Sequence, residues 1–552
     1  MPFPTVRPYV LPGLDQSAVA EWQSLRFGEL ELRFPKLSPE QLAGVMERVA
    51  VARDEYLAEL PVLRVAELLD RAVGRWLEPH SAWRRLAEQL LPAVTGYPEV
   101  VIRKGLAGYL ATFRLENTRR LLEEEFGDPR FLDEFRPRGA VGGRARAFGP
   151  RLTTHVFSGN VPGLPAQSLA CALLVKSASL GKAASEEPLF PSLFVQSLAD
   201  VDERLAACFA VTWWPGGTAE LEAVAFEGAD AIVAYGSEAA IEAVKARVGL
   251  GKRFVAYGHK LSFGVVGREW LTPERAEEAA KRAGYDVAKY DQQGCLSPHL
   301  FYVERGGAVA PRDFAALLAA TLKQYQAAVP RGRLPLAEAA AIRELRASYE
   351  FRPQAALFES QGDTAWTVAY DESPRFEASC LNRAIRVKPL DDVLEAAEHA
   401  RQVRAYLQSC GVGLDSPRLE QLAALLGRLG LDRVCPLGQM PDPSPAWHHD
   451  GRFNLLDLVR WTDLEPESSA GRWEFAHPEE GVYGQPREDA LTLTPEGSRS
   501  LPPARERETT EALSPAGERG IKDSPLPCGG EGQGEGTLLP RPDEEVQPED
   551  KT

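Results

Sequence analysis

Apolar residues recur every three or four positions through LSPEQLAGVMERVAVARDEYL, VLRVAELLDRAVGRWL and GLAGYLATFRLENTRRLLEEEF, with charged residues between them. That spacing places one apolar stripe along a helix, and Ser38 ahead of the first run supplies an N-cap. Residues 14–137 therefore read as largely helical, and GGRARAFG at 142–149 reads as a basic, glycine-bearing joint. From about residue 150 the period shortens. LTTHVFSGNVPG reads as strand then loop, PAQSLACALLV as helix, KSASLGKAAS as strand and loop, and CFAVTWWPGG and ADAIVAYGS as further strands. Strand, glycine or serine turn, helix, strand is the rhythm of a parallel sheet covered by helices. In such sheets ligands gather beyond the C-terminal ends of the strands, where Asn160, Lys182 and Gly236–Ser237 fall. Residues 262–445 repeat the α/β texture, with HLFYVE and ASCLNRAIRVKPL as strands. After about 485 the core pattern ends in a Pro-, Gly-, Glu- and Ser-rich tail, 486–552, expected to be disordered.

Length and charge then narrow the partners. A chain of 552 residues predicts more than one domain. Its net charge is −16, and the tail alone holds 15 acids against 8 bases. No basic patch stands out, so nucleic acid is not expected as a partner. Prolines interrupt the N-terminus where a secretory leader needs an unbroken apolar helix. The longest apolar run, 163–175, is too short and too polar to span a bilayer. The seven cysteines lack CxxC or paired spacing, so neither a zinc site nor a disulfide framework is expected and a cytoplasmic protein is.

The usual short cofactor motifs are missing: no GxGxxG follows a predicted strand, and neither a Walker loop nor HExxH occurs. What remains is a thiol in an unusual place. Cys295 follows a glycine in DQQGCLSPH, a polar, turn-prone setting that suits either an incidental loop cysteine or a reachable nucleophile. FSGNVPG at 157–163, LGKAASEEP at 180–188, AYGSEAA at 234–240, FVAYGHK at 254–260 and DQQGC at 291–295 keep the order of the aldehyde dehydrogenase superfamily's motifs. The intervals agree too: Asn160 and Gly236 lie 135 and 59 positions before Cys295. More specifically, DQQGCLSPHLFYVE and PAWHHDG resemble the LuxC-type acyl-CoA reductases, over roughly residues 10–485.

The resemblance implies an aldehyde dehydrogenase-like α/β fold. A helical N-terminal region and NADP-binding domain would cover 1–260, a catalytic thiol domain 261–445, and a returning segment 446–485. It implies that Cys295 accepts the acyl group, exchanging one thioester for another, helped by a setting that lowers its pKa. Asn160, otherwise a turn asparagine, would donate its amide to the oxyanion, a contribution of ~3 kcal/mol. Lys182, otherwise a solvated lysine, would contact the adenosine ribose and 2′-phosphate. Ser185 stands where NAD-preferring relatives often carry glutamate, which points to NADPH, although Glu186 is next door. Ser237 caps a predicted helix, worth ~1 kcal/mol, and with Gly236 would turn that helix N-terminus toward the pyrophosphate. Glu377 is placed on the nicotinamide ribose. Ala256 occupies the position of the glutamate that activates water in hydrolytic relatives. His299 could be an acid or base, or a surface histidine in a Ser-Pro turn. His448, His449 and Asp450 suit a substrate pocket or subunit contact better than a metal.

The expected function is NADPH-dependent reduction of long-chain acyl-CoA to aldehyde through an acyl-Cys295 thioester. An aldehyde-oxidising NAD(P)-dependent dehydrogenase and a non-catalytic acyl-carrying component of a reductase complex are the alternatives. An acyl-activating synthetase partner, a homo-oligomer and no membrane span complete the expectation.

Overall fold

The computed structural model describes residues 4, 6–139, 142–415 and 417–465. The tail and the returning segment beyond 465 lie outside the described residues.

Strands β1 (Trp22–Phe27) and β2 (Leu30–Pro35) form an antiparallel hairpin inside the stretch read as helical. Alternating burial along β2 and the tight turn at Gly28, φ 61°, explain why period two wins there. Five helices follow: α1 (Pro39–Glu55), α2 (Val62–Leu77), α3 (Ala82–Thr95), α4 (Glu99–Leu110) and α5 (Leu115–Phe126). The Ser38 hydroxyl accepts the Gln41 N–H at 3.2 Å and the Gln41 side chain accepts the Ser38 N–H at 2.9 Å, a reciprocal cap that starts α1. A short strand, β3 (Arg136–Pro137), ends the stretch read as helical, and β4 (Arg144–Phe148) occupies the segment read as a joint.

The first large sheet holds β5 (Leu152–Val156), β6 (Ala178–Lys182), β7 (Phe209–Thr212), β8 (Ala231–Tyr235) and β9 (Arg253–Tyr257), all parallel, in the order β7-β6-β5-β8-β9. Helices α6 (Leu164–Leu174), α7 (Phe190–Ala199), α8 (Glu203–Ala206), α9 (Ala219–Glu227) and α10 (Glu238–Lys245) connect them. The strand order reverses between β5 and β8, which opens a crevice at their C-terminal ends.

The second sheet runs β12-β13-β14-β11-β10-β15-β16. Its members are β10 (Leu261–Val266), β11 (Pro298–Glu304), β12 (Ala356–Glu359), β13 (Thr367–Tyr370), β14 (Ala384–Leu390), β15 (Leu407–Gly413) and β16 (Arg433–Pro436), and only β12 is antiparallel to its neighbour. Helices α11 (Ala276–Ala288), α12 (Pro311–Ala328), α13 (Leu336–Glu350), α14 (Ala396–Ala400) and α15 (Arg418–Leu429) accompany it. The interior strand β10 is irregular against both partners. Ser262 faces Pro298 while Gly264 faces Phe301, and Leu261 faces Leu407 while Phe263 faces Cys410. Each neighbour thus carries an extra residue, His299–Leu300 opposite Phe263 and Gln408–Ser409 opposite Ser262. Such bulges bend a strand and re-aim a side chain. Gly264 has no alternative, since a Cβ there would meet the Phe301 ring at 2.3 Å. Finally β17 (Arg460–Leu464) returns to pair with β4, closing a three-stranded sheet.

Candidate active site

A cavity of about 1140 Å³ opens where the two large sheets meet, and its walls come from the loops that follow β5, β6, β8 and β9. Asn160, Lys182, Ser185, Gly236, Ser237 and Cys295 all line it. His299, His449 and Asp450 line it as well, whereas Glu377 does not.

The thiol loop is held in an unusual backbone. Tyr290, Asp291 and Gln292 are consecutive left-handed residues at φ 49°, 52° and 63°, and Leu381, Asn382 and Arg383 form a second such run at 63°, 58° and 62°. For residues with a Cβ this costs roughly 1–2 kcal/mol each, so strong contacts must hold them. The Asn382 N–H donates to the Asp291 carbonyl at 3.0 Å, clasping one run to the other. Arg383, fully buried, donates through Nε to Asp291 Oδ1 at 2.7 Å and through Nη1 to the Val329 carbonyl at 2.9 Å. Gly332 N–H reaches Asp291 Oδ2 at 2.9 Å. Tyr97 Oη, from the α3–α4 connection, shares its one hydrogen between the carbonyls of Asn160 and Tyr290, both at 3.0 Å. It thereby ties the asparagine loop to the thiol loop.

Asn160 is fixed from both ends of its amide. Oδ1 accepts from Ser158 Oγ at 2.9 Å and Nδ2 donates to the Gln293 carbonyl at 2.8 Å, two residues before the thiol. One amide hydrogen is left for a further acceptor. A hydrogen-bonded chain continues from there: Gln293 Nε2 donates to Asn382 Oδ1 at 3.0 Å, and Asn382 Nδ2 donates to Glu338 Oε2 at 2.7 Å.

Cys295 is half-buried, and Ser262 Oγ donates to its carbonyl at 2.9 Å. Burial pushes the thiol up to about 12, with the Asp450 carboxylate adding to the rise, while a Gln408 hydrogen bond, the residue's own N–H and Lys260 oppose it. This corrects the expectation that the setting lowers its pKa: the surrounding walls, not the loop sequence, dominate. His299 is also not a surface turn residue. It lies in β11, buried, and its Nδ1 accepts the Ser379 N–H at 3.2 Å. Burial lowers its pKa to about 4, so it is neutral near pH 7.

The returning segment contributes a group that the sequence pattern did not place beside the thiol. Glu125 of α5 accepts the N–H groups of Asn454, Leu455 and Leu456 at 2.8–2.9 Å and so anchors this segment. His449 stacks on Tyr257 at 4.1 Å, and Tyr257 on Tyr235 at 4.7 Å. Asp450, itself left-handed at φ 52°, accepts from Gln408 Nε2 at 2.6 Å and faces Lys260 at 3.7 Å. Ala256 lies in β9, and the cavity wall begins one residue later at Tyr257.

On the cofactor side, Lys182 ends β6 with its ammonium 5.7 Å from the Trp214 ring, and burial lowers its pKa. Ser185 Oγ accepts from Trp213 Nε1 at 3.1 Å, which leaves its own hydrogen free to donate. Glu186 is exposed on the same wall, while Glu187 turns inward and caps α7 through Leu189 and Phe190 N–H. Gly159 lets these loops approach, because a Cβ there would fall 2.8 Å from the Glu187 nitrogen. Ser237 Oγ accepts the Ala240 N–H at 3.3 Å and caps α10 beside the cavity. A lysine, a free hydroxyl donor and a helix N-terminus along one crevice fit a nicotinamide dinucleotide. Glu377, assigned to the nicotinamide ribose, is elsewhere: Lys388 donates to it at 2.7 Å and Arg352 at 3.2 Å. Those cations outweigh burial and hold its carboxyl down near 2, so its side chain is committed to an ion cluster.

A family model described as acyl-CoA reductase (LuxC) matches residues 57–461. The chain belongs to the LuxC acyl-CoA reductases. Two curated relatives carry the name long-chain acyl-protein thioester reductase. The protein from Photorhabdus luminescens is 25% identical over 456 residues, and that from Photorhabdus laumondii subsp. laumondii is 24% identical over 456. Each alignment covers 81% of this chain and 90% of the relative. The fold is that of the aldehyde dehydrogenases. KauB from Pseudomonas aeruginosa superposes with a TM-score of 0.65 at 14% identity, covering 82% of this chain and 95% of its own. Aldehyde dehydrogenase 21 from Physcomitrella patens, in complex with succinate, gives 0.63 at 16% identity with the same coverages. This LuxC-family chain is therefore an oxidoreductase with a nicotinamide-dinucleotide site on an aldehyde dehydrogenase fold. Among the described residues no helix is long and apolar enough to cross a membrane.

Proposed function

We propose that this protein reduces long-chain acyl thioesters to aldehydes with NADPH, holding the acyl group on Cys295. The observation that carries the reading is the convergence of Cys295, Asn160, Lys182 and Ser185 on one cavity, with Ala256 where a water-activating carboxylate would stand. Cys295 Sγ takes the acyl group, and Asn160 donates its remaining amide hydrogen to the carbonyl oxygen as negative charge develops there. The bound nicotinamide supplies the hydride. Collapse of the resulting thiohemiacetal frees the aldehyde and returns the electron pair to sulfur. Lys182 and the Ser185 hydroxyl would hold the 2′-phosphate, with Gly236 and Ser237 beside the pyrophosphate.

The test is purified protein with a long-chain acyl-CoA and NADPH, following absorbance loss together with aldehyde formation. Undiminished turnover in Cys295→Ala refutes the covalent route, and equal use of NADH refutes the cofactor choice. The Photorhabdus relatives are named for an acyl-protein thioester, so acyl groups presented on a synthetase partner form a second donor arm. A homo-oligomeric assembly belongs to the same proposal and is read by light scattering.

A further inference from the structure

Five carboxylates line the large cavity: Glu186, Glu238, Asp291, Glu338 and Asp450. Most are already engaged. Asp291 accepts from Arg383 on one oxygen and from the Gly332 N–H on the other. Asp450 accepts from Gln408 and faces Lys260. Glu238 opens α10 and accepts from Tyr406 Oη at 3.1 Å. Glu186 is exposed and follows β6, on the stretch of wall that also holds Lys182 and Ser185. Glu338 is different. It lies in the first turn of α13, half-buried, on the wall that the second sheet's connections supply. Among the described residues its carboxylate has one hydrogen-bond partner, the Asn382 amide, which reaches Oε2 at 2.7 Å. A carboxylate has roughly four acceptor sites, so Oε1 and part of Oε2 stay open to a ligand.

A chain of amides aims this carboxylate. Asn382 is buried and left-handed at φ 58°, and its N–H is clasped to the Asp291 carbonyl. Because a carboxylate accepts and does not donate, Asn382 must turn Nδ2 toward Glu338 and Oδ1 toward Gln293, whose Nε2 donates to it at 3.0 Å. The Gln293 carbonyl in turn accepts the Asn160 amide at 2.8 Å, two residues before the thiol. One end of the chain is therefore the asparagine beside Cys295, and the other is a carboxylate with an oxygen to spare.

We propose that Glu338 binds the hydroxyls of the ribose that carries the nicotinamide, with Asn382 as the residue that positions it. This rests on the dinucleotide reading of the cavity and deepens it. In that reading Lys182 and Ser185 hold the adenosine end and the N-terminus of α10 faces the pyrophosphate. The second ribose then falls beyond the pyrophosphate, toward the thiol and the wall that carries Glu338. Its two hydroxyls are neighbouring donors, and a carboxylate held from behind by one amide can accept from both. Glu377 cannot take that part, because Lys388 and Arg352 claim its oxygens.

The experiment measures binding to the full chain without an acyl donor. NADPH is titrated by its fluorescence, and adenosine 2′,5′-bisphosphate, which has the phosphorylated ribose but lacks the second one, by calorimetry. Glu338→Ala should weaken NADPH about ten- to a hundredfold, the usual loss for hydrogen bonds to a charged group, and leave the bisphosphate within about twofold. Glu338→Gln keeps one acceptor and should fall between Glu338→Ala and the unsubstituted chain. Asn382→Gly retains the left-handed backbone and removes the amide, so it should weaken NADPH by a smaller factor and spare the bisphosphate. Bisphosphate binding doubles as the control for folding, since a collapsed cavity loses both ligands. NADPH bound equally well by Glu338→Ala and the unsubstituted chain overturns the proposal and leaves the dinucleotide reading standing. Parallel losses of both ligands in Glu338→Ala and Glu338→Gln make the carboxylate part of the cavity's frame and overturn it as well. NADPH binding untouched in Asn382→Gly overturns the positioning role. An unsubstituted chain that binds neither ligand overturns the dinucleotide reading, and the proposal with it.

Discussion

Replacing Arg383 by Met tests whether the clasp between the two left-handed runs holds the active site together. Arg383 and Asp291 are almost fully buried, and the pair is joined at 2.7 Å. Removing one member of such a pair strands the other and typically costs ~3–5 kcal/mol. The loss is sharpened because six residues in left-handed conformations depend on the clasp. Unfolding entropy of about 2.1 cal/mol/K per residue, over roughly 460 described residues, gives about 1 kcal/mol per degree. The variant should therefore melt ~3–5 °C lower by circular dichroism. Turnover should fall further than stability alone explains, since Gln293, whose carbonyl holds the Asn160 amide, is next in the chain after the strained run. Arg383→Lys should recover part of the melting temperature without recovering the bond to the Val329 carbonyl. A midpoint within about 1 °C of the unsubstituted chain, with turnover intact, refutes the clasp.

Asn160→Ala should reduce kcat by about 10²–10³-fold with little change in KM, while Cys295 alkylation persists; a change confined to KM would contradict the oxyanion role. Ser185→Glu sets a carboxylate against the 2′-phosphate and should raise the KM for NADPH roughly tenfold or more, with NADH nearly unaffected, as measured by steady-state kinetics with each cofactor. Three buried histidines should draw stability down on mild acidification, against the opposite pull of Glu187 and Asp286, whose carboxyls burial raises to about 7. His155, His299 and His449 have pKa values lowered by burial to about 3, about 4 and about 3. In the unfolded chain they titrate near 6.5. Below pH 6.5 the unfolded state thus binds protons the folded state refuses, and each histidine costs roughly 1.4 kcal/mol per pH unit as pH drops toward 4. Urea titrations of the unsubstituted chain and of His155→Gln across that range check it: the variant should lose less stability per pH unit, and parallel slopes would contradict it.

Much of the fold was legible because its signals are local. The change from helical spacing to short apolar strands near residue 150 marks the parallel sheet, and Ser38 announces α1 through a cap made within four residues. The asparagine and the glycine-serine turn were legible because the ends of β5 and β8 put them at one sheet edge, whereas the thiol, which precedes β11 of the other sheet, was legible only through its motif. What escaped depends on partners distant in sequence. Glu377 looks free in the sequence, yet Lys388 and Arg352 claim it once β14 and α13 pack. The hairpin at 22–35 was hidden by strong helical runs on its C-terminal side. Gln408 is an ordinary strand residue until the slipped register beside Ser262 turns it into the cavity. Asp450 lies next to two histidines that draw attention first, and only the Glu125 anchor on the returning backbone puts it beside a thiol 155 positions earlier.

That anchored return also sets a schedule. A ribosome adding roughly 5–20 residues per second releases Asp450 about 8–30 s after Cys295. Until then the thiol loop exists without the carboxylate that positions Gln408, and β4 lacks the edge partner that β17 provides. The nascent chain thus carries the proposed nucleophile well before its cavity is complete, and the cavity closes with one of the last described segments to be made.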